Sequence, residues 1–532
     1  MMGIAIKIID KSTLYIGSLE NIADDKQGAF LAMPYILALD QGTTSSRSLI
    51  FDHTGKIVAT AQKEFKQYFP QPGYVEQDPM EIWTSQLSTM VEVIAKAQIP
   101  IHEISCIGIT NQRETTIIFE KKTGKPIYPA IVWQDRRTID YCENLKKEGH
   151  EKNIREKTGL LIDPYFSATK IHWILNHVDG AMEKAKNGEL CFGTIDTWLI
   201  YQLTNKKEHV TDPSNASRTL LYNIEKNAFD EDLLKIFEIP KSLLPEIKPS
   251  AGLFGEADLP FFSKKIPITG VAGDQQAALF GSGCYDVGML KTTYGTGCFI
   301  LLNCGNKIER SKHEMLTTVA WQIEDQITYA LEGSVFVGGA AVLWLKDALH
   351  LIKTSKEIEE LAAQEKDADG VIFIPALTGL GAPHWDPKAK GAIFGITRRT
   401  KNSHIALATL QGIAFLVYEV IEAMRKDSTI ELLTMRVDGK VARSDILLQF
   451  QADLLKIQIE RPFSSEMTAL GAALLAGLGA KIFSSIEELK KLYSIEKTFK
   501  PDLTFHLEEL KARYEKAIQL IKELEKTDED KT

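Results

Sequence analysis

One segment restricts the fold of this chain more than any other: Asp40-Gln41-Gly42-Thr43-Thr44-Ser45-Ser46-Arg47, which follows the apolar run at residues 35–39. A carboxylate closes a strand, a glycine permits a tight turn, and a row of hydroxyls and free backbone amides leads to an arginine. Converging N–H and O–H donors of this kind can wrap phosphate oxygens. A carboxylate at the strand end can hold Mg2+ through water, because that ion keeps several waters and takes only one or two carboxylates. The plainer alternative is a polar hairpin with a solvated arginine. The plan recurs at Tyr294-Gly295-Thr296-Gly297-Cys298, again between two apolar runs. Alone, a Gly-Thr-Gly turn says little. Two such hairpins opening two similar halves can clamp one triphosphate from both sides.

The surrounding pattern supports two halves. Residues 35–39, 48–52 and 57–61 read as strands joined by polar turns. Residues 80–97 carry apolar positions at helical spacing behind Asp78-Pro79, and residues 104–109 read as a buried strand. After the second hairpin, at 291–302, the α/β theme returns. Strands are expected at 328–330 and 432–437, and helices at 340–351, 356–365, 405–424, 444–455 and 468–479. The 532 residues therefore divide into an extension (1–33), a first domain (34–282), a second domain (291–485) and a charged helical tail (486–532). From residue 507 the tail is expected to be one solvated helix running into disorder. Either Met33 is the natural start, or residues 1–32 are a loosely attached extension.

Composition removes several function classes. Lys and Arg number 62 against 71 Asp and Glu, a net charge of −9. That balance argues against nucleic acid or an anionic membrane as partner, since both need basic patches. No run of about 18 apolar residues is present to span a membrane. The six cysteines form no C-x-x-C pair, so a reducing, cytoplasmic location is the simplest reading. The chain also lacks the Walker loop, the dinucleotide G-x-G-x-x-G, the protein-kinase catalytic loop, H-E-x-x-H and G-x-S-x-G.

Three further places could carry chemistry. Gly273-Asp274-Gln275-Gln276 reads as strand, turn and helix. Asp274 is then either a helix cap or a general base able to take a hydroxyl proton. Arg113 and Glu114, just beyond the strand at 104–109, could hold two vicinal hydroxyls as donor and acceptor, or form a surface ion pair. Trp133 and Tyr165 are core aromatics or substrate contacts.

These segments, with Val132-Trp133-Gln134 and Asp163-Pro164-Tyr165-Phe166, resemble the glycerol kinases, a branch of the FGGY carbohydrate kinases, in both order and spacing. Residues 165–177 and 391–411 resemble the family signatures, and the likeness spans roughly residues 34–500. It implies an α/β fold of two actin-like (ribonuclease H-like) ATPase domains with the active-site cleft between them. It implies ATP-dependent phosphorylation of glycerol to sn-glycerol 3-phosphate, a step of glycerol uptake and catabolism, with ATP and Mg2+ as cofactors. By the same resemblance Arg113, Glu114, Trp133, Tyr165, Asp274, Gln275 and Phe299 form the glycerol pocket, with Asp274 as base. Thr43, Thr44, Ser45, Arg47, Thr296, Gly297, Gly339, Lys440 and Asp445 face ATP or ADP, and Asp40 serves Mg2+ through water. A homo-oligomer, dimer or tetramer, is also implied.

The chain departs from the family on the adenosine side. Lys440 stands where a second glycine is usual, Ser444 and Asp445 replace an Asn pair, and Leu343 replaces a common glutamine. A side chain at a position needing positive φ or close approach costs on the order of 1 kcal/mol or more, so altered nucleotide affinity is expected. Residues 259–265 lack the Gly-rich basic loop, so inhibition by fructose 1,6-bisphosphate is not expected. Two alternatives stay open: a kinase for another small polyol or ketose, and a kinase-like binding protein with a degenerate adenosine site.

Overall fold

The computed structural model describes residues 5–10, 13–17, 34–504 and 507–529. Ala5–Asp10 and Thr13–Gly17 pair as an antiparallel hairpin. The rest of the extension, and with it the reading of its attachment, lies outside the described residues, as does the end of the tail.

Thirteen strands form one hydrogen-bonded sheet, and its order exposes a repeated plan. In the first half the meander Ile57–Glu64, Ser45–Phe51, Tyr35–Gln41 is antiparallel. Ile104–Asn111 and Ile266–Gly273 then add in parallel. In the second half Gln326–Val335, Cys298–Gly305 and Leu290–Tyr294 make the antiparallel set. Thr434–Asp438 and Gln458–Pro462 add in parallel. The halves join through a single paired position, Ala251 with Ile323.

Local sequence explains the elements. The interior strands are buried along nearly their whole length, whereas the edge strand Ile57–Glu64 alternates between more and less exposed positions over residues 57–61 and is exposed beyond. That is the pattern of a strand covered on one face only. Helix Pro79–Ala97 starts at Asp78, whose side chain accepts the Met80 amide at 2.7 Å. It buries Ile82, Met90 and Val93. The second strand begins at Ser45, three residues before the expected start, so part of the hydroxyl row belongs to the strand rather than the turn.

Helix Met467–Gly479 belongs to the second half in sequence but packs on the first. A Cβ added at Gly471 would lie 1.8 Å from the Ala277 carbonyl oxygen, and one at Gly108 would lie 2.2 Å from that of Ala472. Only residues without side chains allow these backbones to meet. The resulting core mixes Ile36 and Ala38 of the first half with Leu301 and Trp321 of the second.

The tail differs from its expectation. Helix Glu508–Glu529 is not wholly solvated: Tyr514, Ala517, Ile518 and Ile521 are buried in the second-half core, and Tyr514 stacks on Phe415 at 4.1 Å. Their spacing marks one helical face, which the surrounding lysines and glutamates obscure. Tyr514→Ala is therefore expected to cost about 3 kcal/mol, as large aromatic truncations in cores do. Urea unfolding checks this; an unchanged midpoint contradicts the docking.

Helix Asn402–Asp427 is long and apolar enough to cross a membrane by length and composition, but 78% of its apolar window is buried inside the protein. It forms the second-half core with Ile413, Val417 and Val420. All six cysteines are free and buried.

Candidate active site

Strand register brings the first-half residues together. Gln41 pairs with Asn111, and Asn111 with Gly273. Asp40, the Gln112–Thr115 turn and Asp274 therefore emerge side by side at the carboxyl ends of three neighbouring parallel strands, where open α/β sheets place their ligands.

The first hairpin is closed by the Gly42 amide on the Ser45 carbonyl at 2.9 Å. Gln67 and Gln77 each donate to the Thr43 carbonyl at 2.8 Å. The Trp133 indole N–H donates to the Thr43 hydroxyl at 3.0 Å, which ties the first Gly/Thr hairpin to this aromatic side chain. Gln62 donates to the Ser45 hydroxyl at 3.0 Å, and Thr44 is exposed. Arg47 is anchored on both sides: Nε bonds Asp40 Oδ2 at 3.1 Å and Nη1 bonds Glu466 at 2.5 Å. Asp40 above all, then Glu466, hold its guanidinium even more firmly protonated than usual.

In the second hairpin the Gly295 amide bonds the Gly297 carbonyl at 2.9 Å. The Gly338 and Ala340 amides bond the Thr296 carbonyl at 2.8 and 3.1 Å, leaving Thr296 itself exposed. Gly339 fits here because a Cβ would lie 2.8 Å from the Gly295 carbonyl oxygen and 2.9 Å from Val441. The hairpin, the start of helix Gly339–Asp347 and the turn after Thr434–Asp438 thus share one small space.

Arg113 and Glu114 are not a surface pair; both are buried. Arg113 Nη2 donates to the Tyr165 hydroxyl at 3.3 Å, and its Nε lies 3.3 Å from Asp274 Oδ1. Glu114 accepts from Arg218 Nε at 2.6 Å. Trp133 and Tyr165 pack with ring centroids 5.6 Å apart. Asp274 opens helix Asp274–Gly281, and solvent reaches 32% of its side chain. Burial pushes its carboxyl up to about 6; Arg113 pulls against this, and Glu114 adds to it. Gln275 accepts from Lys291 Nζ at 2.8 Å. Phe299, opposite Ser334 on the next strand, shares a sheet face with Glu332.

The strain expected at Lys440 does not arise. Its φ of −67° and ψ of −36° are ordinary right-handed values. The position that requires glycine is Gly439, with φ of 93° and the Tyr294 carbonyl oxygen 2.4 Å from any Cβ. Lys440 is exposed. Ser444 caps helix Asp445–Leu455 by accepting the Leu447 amide at 3.1 Å. Asp445 is paired with Arg461 at 2.8 Å and Lys497 at 2.6 Å.

Sequence reasoning missed several residues of this site. Glu332 and Lys291 are fully buried charges; the signal was a single charge inside an otherwise uncharged strand. Lys170, lowered to about 8 by burial, donates to the Tyr165 and Phe166 carbonyls at 2.8 and 3.1 Å and so shapes the Tyr165 turn. Asp438 is buried with Oδ1 lacking a partner. Asp40 and Asp438, each near the end of its own strand, carry hard oxygen donors of the type Mg2+ accepts directly or through water. Nothing in the sequence singled out Arg218.

The site and the duplicated sheet define a phosphotransferase plan that the comparisons make specific. Residues 35–281 match the N-terminal domain of the FGGY family of carbohydrate kinases, and residues 290–480 match its C-terminal domain. The chain belongs to that family. A glycerol kinase of Oceanobacillus iheyensis is 54% identical over 471 residues, 88% of this chain and 94% of that protein. Glycerol kinase 1 of Clostridium tetani is 54% identical over 469 residues, with the same two shares covered. Among solved structures, Plasmodium falciparum glycerol kinase with ADP superposes with a TM-score of 0.86 at 38% identity, covering 93% of this chain and 98% of that one. A gluconate kinase from Lactobacillus acidophilus, at 23% identity, 93% and 98% coverage and a TM-score of 0.81, shares the fold.

Proposed function

We propose that the chain transfers the γ-phosphoryl group of ATP to a terminal hydroxyl of glycerol, yielding sn-glycerol 3-phosphate and ADP. The observation that carries this reading is the convergence of Arg113, Glu114, Tyr165 and Asp274 beside the first Gly/Thr turn. Arg113 and Glu114 supply a donor and an acceptor for two vicinal hydroxyls. Trp133 and Tyr165 wall the carbon chain, and Gln275 and Phe299 complete the polyol side. Thr43, Thr44, Ser45, Arg47, Thr296, Gly297, Gly339, Lys440 and Asp445 make up the nucleotide side.

Asp274 takes the proton of the attacking hydroxyl, and the oxygen then displaces ADP from the γ-phosphorus in line. The transition state is loose, so positioning and charge stabilisation are what the protein contributes. Asp40 would hold Mg2+ through water, and the ion would supply positive charge to offset that of the phosphates. Closure of the halves excludes water as a competing acceptor. A cytoplasmic homo-oligomer completes the proposal.

A base must be ionised to act, and burial places the Asp274 carboxyl at about 6. kcat/KM for glycerol is therefore expected to be level near pH 7.5 and to fall about tenfold per unit well below pH 6. A profile flat down to pH 5 contradicts Asp274 as base. The substrate is tested by coupled ADP release over glycerol, xylulose and gluconate. Glycerol is expected to give the highest kcat/KM, and equal values on glycerol and xylulose overturn the reading.

A further inference from the structure

We propose that Glu332, a residue of the second half, is the positioning residue that sets the polyol contacts of the first half. This inference rests on the reading of Arg113 and Asp274 as polyol contact and base. Glu332 lies on strand Gln326–Val335 and is wholly buried. Oε2 accepts from Arg113 Nη1 at 2.6 Å, and Oε1 accepts from Arg113 Nη2 at 2.7 Å. A two-point carboxylate–guanidinium fork fixes the plane of the arginine as well as its place.

With that plane fixed, the remaining bonds of Arg113 fall where the site needs them. Nη2 meets the Tyr165 hydroxyl at 3.3 Å, Nη1 meets Gln276 Oε1 at 3.2 Å, and Nε faces Asp274 Oδ1 at 3.3 Å. Glu332 Oε1 also accepts from Arg218 Nη2 at 3.2 Å, while Arg218 Nε holds Glu114 at 2.6 Å. One buried carboxylate thus orients both the donor and, through Arg218, the acceptor for the polyol. The polyol pocket is assembled from both halves rather than from the first alone.

The charges make the role separable from simple packing. Arg113 and Arg218 balance Glu114 and Glu332. Burial tends to raise the Glu332 carboxyl, but the two arginines overcome this and hold it at about 2. Asp274 faces Arg113 and Glu114 from the turn after Ile104–Asn111, and Lys291 from strand Leu290–Tyr294. Neutralising Glu332 leaves Arg113 less compensated, so more positive potential reaches Asp274 and its proton is lost at lower pH.

The test compares wild type, Glu332→Gln and Glu332→Asp by steady-state kinetics from pH 5 to 8, with crystal structures of both variants. For Glu332→Gln the glycerol KM is expected to rise about 10-fold or more, with the Mg·ATP KM within about twofold, because only polyol contacts are lost. The acid limb of kcat/KM should move down by about half a pH unit, the sign that lost negative charge dictates. Glu332→Asp keeps the charge but shortens the reach, so it should raise the glycerol KM without moving the limb; it also serves if the Gln variant fails to fold. An unchanged glycerol KM in a folded variant, or equal rises in both KM values, overturns the proposal. If wild type does not phosphorylate glycerol, the functional reading fails separately, and the crystals still decide. Arg113 displaced from Tyr165 and Asp274 in either variant supports the positioning role, and Arg113 unmoved in both overturns it.

Discussion

Asp274→Asn is expected to lower kcat for glycerol by about 10²–10⁴-fold, the range that loss of a positioned general base produces. Glycerol should still bind, because the Arg113 fork to Glu332 and the Tyr165 contact do not depend on the carboxylate. The variant should also fold. The raised pKa means that the native site disfavours the Asp274 charge. A carboxyl whose pKa is raised in the folded state gains stability as pH falls through that pKa toward the unfolded value and lacks that gain above it, so a neutral amide is expected to be at least as stable as the ionised acid at pH 7. Steady-state kinetics with glycerol calorimetry checks both parts. A variant with wild-type kcat removes Asp274 from the mechanism, and one that neither binds glycerol nor folds means the residue is structural.

Gly471→Val is the substitution expected to damage the fold most. Helix Met467–Gly479 meets helix Asp274–Gly281 so closely that even a Cβ at Gly471 would lie 1.8 Å from the Ala277 carbonyl oxygen. Backbone cannot yield as a flexible side chain does, so the cost is expected at or above the upper end of ordinary overpacking, about 3 kcal/mol. Helix Asp274–Gly281 carries the proposed base at its first position, so activity should fall together with stability. Urea denaturation followed by circular dichroism reads this, and an unshifted midpoint would show that the two helices can separate without cost.

The legible parts of this chain are those where chemistry and local conformation coincide. The Asp40–Arg47 and Tyr294–Cys298 hairpins declare themselves because a turn, a run of hydroxyls and flanking apolar strands leave few other structures, and both form as turns between antiparallel strands. Asp274 was legible because a strand-to-helix junction and a carboxylate coincide, and the helix does start there. What escaped is decided by long-range packing. Glu332 is separated from Arg113 by 219 residues, and no local pattern links them. Helix Met467–Gly479 reads as tightly packed, but nothing in its own residues says that its partner is the first-half sheet. At Lys440 the error came from counting glycines without knowing φ: only Gly439 is left-handed.

A crystal structure with Mg2+, a non-hydrolysable ATP analogue and glycerol tests the central claim most directly. The account predicts the terminal phosphates lying between the Asp40–Arg47 and Tyr294–Cys298 turns, with a terminal glycerol hydroxyl within hydrogen-bond reach of Asp274. Glycerol seated away from Asp274, or phosphates bound outside the space between the two turns, would contradict it.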